Sequence, residues 1–322
     1  MLPVVLILGA NGYTGVPIVD VILKRGETKV KVLGQEKSLS DPKKRGVFDA
    51  FKAKGAEVCV GSIQDLDSLK KALVGVDIVL SMVGSGLILD QIELVKLAKE
   101  AGVKRFIPSD FSTYCPPGLM AMQDKKYMVH DAIKEIGLPY TFINIGSWYD
   151  LMHREIDGMG LAYEEEMLGL KPKSVFDVYP NQDVLNAGTY LPDVGEMVAR
   201  IIVDPRTLNQ YVMVTGDAVS CNQMAASYER VTGRKLTRNV MDPAAHLARI
   251  KVIREEIGPI EKNPSLSAEL KLREYAQTRW IRGDNDPAKL PSYVLKASDL
   301  YPDYKFKKWD TWIEEKHASN KL

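Results

Sequence analysis

Three glycines recur at three-residue intervals in Gly9-Ala10-Asn11-Gly12-Tyr13-Thr14-Gly15. They follow a short apolar run. They precede a segment with Val16, Val19, Ile22 and Leu23 at helical spacing. In that strand-turn-helix context each glycine has a physical task. The first permits a tight turn, the second lets backbone approach a pyrophosphate, and the third lets the helix pack close to the strand. Amides at the helix N-terminus then face the negative charge. The G-x-x-G-x-x-G spacing differs by one position from the usual dinucleotide fingerprint but meets the same requirements. Gly9, Asn11, Gly12, Tyr13, Thr14 and Gly15 are therefore expected to hold the phosphates of a dinucleotide.

The residue type at the tip of the second strand discriminates between the two nicotinamide dinucleotides. An acid favours NAD, and a basic group favours the 2′-phosphate of NADP. The tip reads Leu33-Gly34-Gln35-Glu36-Lys37, with Lys43, Lys44 and Arg45 following. No acid stands at the tip itself. The reading favours NADPH, with Gln35 and Lys37 near the adenosine ribose, and leaves NADH open.

A second polar cluster ends the fifth apolar run. Pro108, Ser109, Asp110, Phe111, Ser112 and Tyr114 form its turn, and the next helical segment carries Lys125, Lys126 and His130. The Tyr-x-x-x-Lys pair of short-chain dehydrogenases occurs once, at Tyr301 and Lys305, far from this half and interrupted by Pro302. It is read as coincidence, which also argues against a sugar epimerase.

These residues need a scaffold, and the pattern supplies one. Apolar runs at 4–8, 30–33, 57–60, 78–83, 105–108 and 140–145 alternate with helical patterns at 16–24, 47–54, 66–73, 91–101 and 124–136. Such alternation specifies an α/β fold with a doubly wound parallel sheet of order 3-2-1-4-5-6, a Rossmann domain. Ligands bind at the carboxyl edge of such a sheet. Val83 and Gly84 follow the fourth strand there, Pro108, Ser109 and Phe111 the fifth, and Gly146 the sixth. All six are expected to touch the cofactor.

After residue 145 the alternation stops. Helices are expected at 193–203, 222–232 and 243–257, and a strand at 211–214. The reading divides the chain into a dinucleotide-binding domain, 1–150, and a smaller substrate lobe, 151–322, partly interleaved with it. Trp148, Tyr149 and His153 are candidate walls of the substrate pocket. Met152, Met159 and Met167 would suit an adaptable apolar lining.

The 322 residues include 43 basic and 42 acidic side chains, for a net charge of +1. That balance gives no footprint for nucleic acid or an anionic membrane. Cys59, Cys115 and Cys221 form no metal-ligand spacing, so no metal is expected and three reduced thiols are. No run approaches the ~20 apolar residues of a membrane span. The expectation is a cytoplasmic protein acting on a small molecule as a monomer or homodimer.

On four stretches (Gly9 to Gly15, Val47 to Asp77, Val103 to Phe111, and Lys126 to Phe142) the chain resembles the isoflavone reductase-like group of the NmrA-like, atypical short-chain dehydrogenases. That group includes pinoresinol, isoflavone and phenylcoumaran benzylic ether reductases. The resemblance implies an NADPH-dependent reductase of a small aromatic or phenolic substrate. The family's general acid/base lysine falls on Lys126 of Lys126-Tyr127-Met128-Val129-His130-Asp131-Ala132-Ile133, with Lys125 a second candidate. It would also contact the cofactor. His130-Asp131 stands where the family has an arginine pair, and Gly34 where it has an arginine. NmrA-like proteins also include nucleotide sensors, so a non-catalytic NADP(H)-binding regulator is the alternative reading.

Overall fold

Strand β1 (Val4–Leu8) is apolar at every position, and its side chains divide between two cores. Val5 and Ile7 join Val30, Val32, Ile18, Ile22, Val194 and Val198 on one face. Leu6 and Leu8 join Leu69, Val79, Leu94, Val129 and Phe142 on the other. A strand buried on both faces needs helices above and below it, as parallel sheets require. The computed structural model describes residues 1–156, 175–257 and 263–319.

Around β1 lie α1 (Gly15–Arg25), β2 (Lys29–Gly34), α2 (Glu36–Ser40), α3 (Pro42–Ala53), β3 (Glu57–Val60), α4 (Leu66–Ala72), β4 (Ile78–Ser81), α5 (Gln91–Glu100) and β5 (Arg105–Ile107). All five strands are parallel, in the order β3-β2-β1-β4-β5. Next come α6 (Ala121–Ile136) and β6 (Thr141–Asn144). The sixth strand takes its expected place beside the fifth, but through a single bridge, Phe106 with Tyr140. Pro108 follows β5 at once and has no N–H to continue a ladder. On its far side β6 pairs in parallel with Gln210–Met213, which pairs in turn with Val294–Lys296.

Local signals explain most boundaries. Helix α3 starts at Pro42, ahead of the expected 47–54, because Asp41 caps it by accepting from Lys43 N at 2.9 Å. Proline at the first helical position costs no hydrogen bond. The helices Pro264–Ala276 and Trp309–Ser319 and the short helix α2 are additions to the expected set.

Residues beyond 150 fasten onto the sheet. The helix Leu191–Ile201 packs on α1 so closely that a Cβ on Gly195 would stand 3.0 Å from the Pro17 carbonyl. Arg105, buried in β5, donates to the Ile201, Ile202 and Asp204 carbonyls at 2.7, 3.0 and 3.0 Å. It thereby satisfies carbonyls that the end of that helix leaves open. A further core unites α7 (Tyr149–Ile156) with Trp280, Trp309, Trp312 and Tyr228. Among the described residues no helix is long and apolar enough to cross a membrane. Met159 and Met167 lie outside the described residues.

Candidate active site

The glycine turn behaves as its spacing requires. Gly9 has φ +74°, and a Cβ there would lie 2.2 Å from the Met82 carbonyl oxygen. A Cβ on Gly15 would lie 2.2 Å from the Gly9 oxygen. Both positions exclude a side chain on steric grounds alone. Gly12 differs: its Cβ would meet only the Gly9 oxygen, at 3.2 Å. The fold therefore demands Gly9 and Gly15, whereas Gly12 leaves room on the side of an incoming ligand. Helix α1 begins here with no acidic residue in its first turn and no side-chain cap. Its positive end is left to an anion, so the turn fits a dinucleotide pyrophosphate. At the tip of β2, Gly34 is buried against Leu39 and Phe48. Half-buried Gln35 opens α2, and Lys37 is exposed beside it.

The loops after β4 and β5 are tied together. Ser109 donates its hydroxyl to the Val83 carbonyl (2.8 Å), and its N–H to Gln91 Oε1 (2.9 Å). Gln91 is itself held by the Ile88 carbonyl. Val83, Gly84, Pro108 and Ser109 thus sit together at the carboxyl edge of the sheet. Phe111 adopts φ +32°, a strained value for a residue with a Cβ. It is pinned by its N–H to the Ile143 carbonyl at 3.0 Å.

Lys126 lies one turn inside α6 and is 5% exposed. Its Nζ donates to the Asp110 carbonyl and, at 2.7 Å, to Ser112 Oγ. Burial pulls its pKa from 10.5 down to about 8, and Lys271 adds to the fall while Asp110 opposes it. An amine tuned this way can both give and take a proton near neutral pH.

Behind Lys126 runs a chain the sequence did not announce. His130 Nε2 is 2.9 Å from both Asp110 carboxylate oxygens, and His130 Nδ1 is 2.9 Å from the Tyr211 hydroxyl. Burial raises the Tyr211 pKa, so its hydroxyl stays protonated. The partners assign the tautomer: Tyr211 O–H donates to Nδ1, and Nε2–H donates to Asp110. The imidazole is stacked on Phe142, with ring centres 3.7 Å apart. His130 and Asp110 are both buried, so neither can turn to water.

Beside this array lies a cavity of about 440 Å³. Ser112 and Thr113 line it from the loop after β5, Gly146, Ser147 and Trp148 from the chain after β6, and Tyr13 from the glycine turn. Ser112 therefore stands between Lys126 and the cavity. Gly146, at φ +67°, turns the chain here; a Cβ would strike the Ala187 carbonyl at 2.4 Å. The far wall is Lys271 and Tyr275 of the helix Pro264–Ala276 and Arg279 of the π-helical turn Gln277–Arg282. Single π turns often occur at functional sites.

Helix α7 supplies the rest of the wall, with the opposite face from the one expected. Asp150, Leu151 and Arg154 line the cavity. Tyr149, Met152, His153 and Ile156 are buried on the other side. Tyr149 packs on Trp309 and Trp312 and donates its hydroxyl to the Lys307 carbonyl. His153 meets His317, Nε2 to Nε2, at 2.9 Å. Of the three proposed substrate residues, only Trp148 is brought to the cavity. Tyr301 and Tyr304 also serve structure, donating to Asp204 and Asp193. The far-wall residues Lys271, Tyr275 and Arg279 were missed, although Asn263-Pro264 offered a helix-start signal. Among the described residues no group of three or more His, Cys, Asp or Glu could hold a metal.

Comparison with known proteins agrees with this geometry. A phenylcoumaran benzylic ether reductase of Pyrus communis is 32% identical over 326 residues, covering 97% of each chain. The asnovolin J 5′,6′-dehydrogenase of Aspergillus novofumigatus is 31% identical, covering 97% of this chain and 94% of that one. The leucoanthocyanidin reductase of Vitis vinifera, solved as a binary complex with NADPH, superposes with a TM-score of 0.78 at 26% identity, over 98% of this chain and 99% of that one. The NmrA-like family pattern matches residues 2–313. The match spans nearly the whole chain, and the chain is a member of the NmrA-like family.

Proposed function

We propose that the protein is an NADPH-dependent reductase of a small aromatic or phenolic substrate, with Lys126 as its general acid/base. One observation carries this reading. A buried lysine with a pKa near 8 is hydrogen-bonded to Ser112, and Ser112 forms part of the cavity wall. The NADPH complex of the grape relative and the reductase activities in the relatives' names support it.

Gly9 to Gly15 and the start of α1 would hold the pyrophosphate, and Gln35 and Lys37 the adenosine end. Val83, Gly84, Pro108, Ser109, Phe111 and Gly146 would flank the nicotinamide half. When bound, NADPH supplies hydride. The chain's own residues do the rest. Ser112 Oγ receives a proton from Lys126 Nζ and passes its own to an oxygen in the cavity; the reverse transfer serves a phenol losing its proton. The Asp110 carbonyl holds Nζ in line, and Trp148 and Tyr13 exclude water. We place the reaction in the cytoplasm, consistent with three free thiols, on a monomer or homodimer.

The test is consumption of NADPH by pure protein with phenylpropanoid, isoflavonoid and quinone substrates. Consumption with one of these classes is expected. Tight NADPH binding without consumption across the panel would replace the reductase by a sensor.

A further inference from the structure

The cavity is not electrically neutral. Its wall carries Asp150, Arg154, Lys271 and Arg279. Two of these charges are answered from outside the cavity. Asp150 accepts from Lys316 Nζ at 2.8 Å and from the Tyr13 hydroxyl at 3.3 Å. Arg279 makes a two-pronged contact with Glu155, at 2.6 and 3.1 Å, and a further bond to Asn186. Lys271 acts on the site at a distance, helping to lower the Lys126 pKa.

Arg154 is different. It is half-buried on the cavity face of α7, and among the described residues no carboxylate or carbonyl accepts from its guanidinium. Its charge reaches the Tyr13 phenol in the same wall. Its five N–H donors find no acceptor in the wall among the described residues. The lining is otherwise mainly apolar, with Leu151, Tyr275 and the Trp148 ring. Pockets of this kind orient a ligand through a few placed polar groups. Here the unanswered group is a cation whose planar fork matches two oxygens.

Building on the reductase reading, we infer that the substrate is an aromatic molecule bearing one carboxylate, which Arg154 receives. The cofactor's phosphates have their own seat at the acid-free start of α1, so Arg154 is left for the substrate. A carboxylate there would fix the ring's direction in the cavity, with its reacting end toward Ser112 and Lys126. Arg154 is then a specificity-determining residue with no part in the proton transfer.

The test uses the NADPH-loaded protein and two probes that differ only at the carboxyl group, 4-hydroxycinnamate and its methyl ester. The acid is expected to bind at least tenfold more tightly than the ester. Arg154→Gln should abolish that preference, Arg154→Lys should keep part of it, and NADPH affinity should be unchanged in both. Arg154 makes no hydrogen bond within the described protein, so neither change threatens the fold. Equal binding of acid and ester by the wild type overturns the inference. So does a loss of NADPH affinity in Arg154→Gln matching the loss for the acid, which would assign Arg154 to the cofactor. Failure of the protein to bind NADPH at all would instead sink the reductase reading.

Discussion

Asp110 faces two ways at once: its carboxylate is clasped by His130 Nε2 at 2.9 Å, while its backbone carbonyl accepts from Lys126 Nζ. The candidate proton donor and the buried imidazole one helical turn beyond it thus share a single residue as their anchor. Positions 126 and 130 are four apart and lie on the same face of α6.

Removing His130 should therefore reach Lys126. His130→Ala leaves the buried Asp110 carboxylate without this hydrogen-bond donor, a change that costs about 1–3 kcal/mol, or more for a charged acceptor. Turnover should fall at least tenfold. His130→Gln, which can still donate to Asp110, should recover much of both. Denaturant melts and steady-state rates measure the two effects; an unaltered rate in a folded His130→Ala protein would show that the anchor is irrelevant to catalysis.

Lys126 itself sets stability against activity. Its folded pKa lies below its unfolded value, so its contribution to stability is full above the unfolded value and is lost as pH falls through about 8. At neutral pH the buried ammonium costs about 3 kcal/mol relative to a solvated lysine, at ~1.4 kcal/mol per tenfold. Lys126→Met should thus unfold at higher denaturant at pH 7, with an advantage that shrinks toward pH 10. Its turnover should drop by about 10²-fold or more. In the wild type the reductive rate should fall above pH about 8 as the ammonium is lost, and that limb should vanish in the variant.

The three glycines should separate by mutation. Gly15→Ala drives a methyl into the Gly9 oxygen and should destabilise the fold along with cofactor binding. Gly12→Ala meets only one atom at 3.2 Å and should keep its melting temperature while losing NADPH affinity. Nucleotide titration beside a thermal melt gives both readings. A Gly12→Ala protein that binds NADPH normally would move the pyrophosphate away from this turn.

A pH effect is also expected far from the chemistry. His246 is buried between the Tyr179 hydroxyl (2.8 Å) and the Arg273 carbonyl (2.9 Å). Burial lowers its pKa. The stability it contributes is full above its unfolded pKa of about 6.5 and is lost as pH falls through the folded value. The wild type should therefore lose stability relative to His246→Phe between pH 7 and pH 5. Because Arg273 and the cavity residues Lys271 and Tyr275 share one helix, acid should loosen the far wall first, visible as faster amide exchange there. Parallel stability curves for the two proteins would refute this.

The sequence made legible whatever is local. The glycine turn and the strand-helix alternation each depend on a few neighbouring residues, and each stands where it was expected; Lys126 was singled out only through the family resemblance. The far wall was hidden because long-range packing builds it. Tyr149 and His153 looked like pocket residues, yet α7 is rotated by Trp309, Trp312 and His317, more than 150 positions away. That rotation gives the cavity Asp150 and Arg154 instead. The Asp110–His130–Tyr211 chain was equally hidden, since its three members come from a loop, a helix and a strand joined only in the folded sheet.

The single bridge between β5 and β6 has a consequence for how the chain is made. Strands β1 to β5 are complete once residue 107 has left the ribosome, but Val194 and Val198, which cover one face of β1, come later. Strand β6 emerges soon after but finds its ladder partner only at Gln210–Met213, whose outer neighbour is Val294–Lys296. Emergence is therefore ordered: the five strands of the nucleotide-binding edge leave first, while the helix that covers one of their faces and the wall opposite Lys126 wait for later residues. A chain cut short would carry the strands of a nucleotide site with one face of its core uncovered and no chamber beside it.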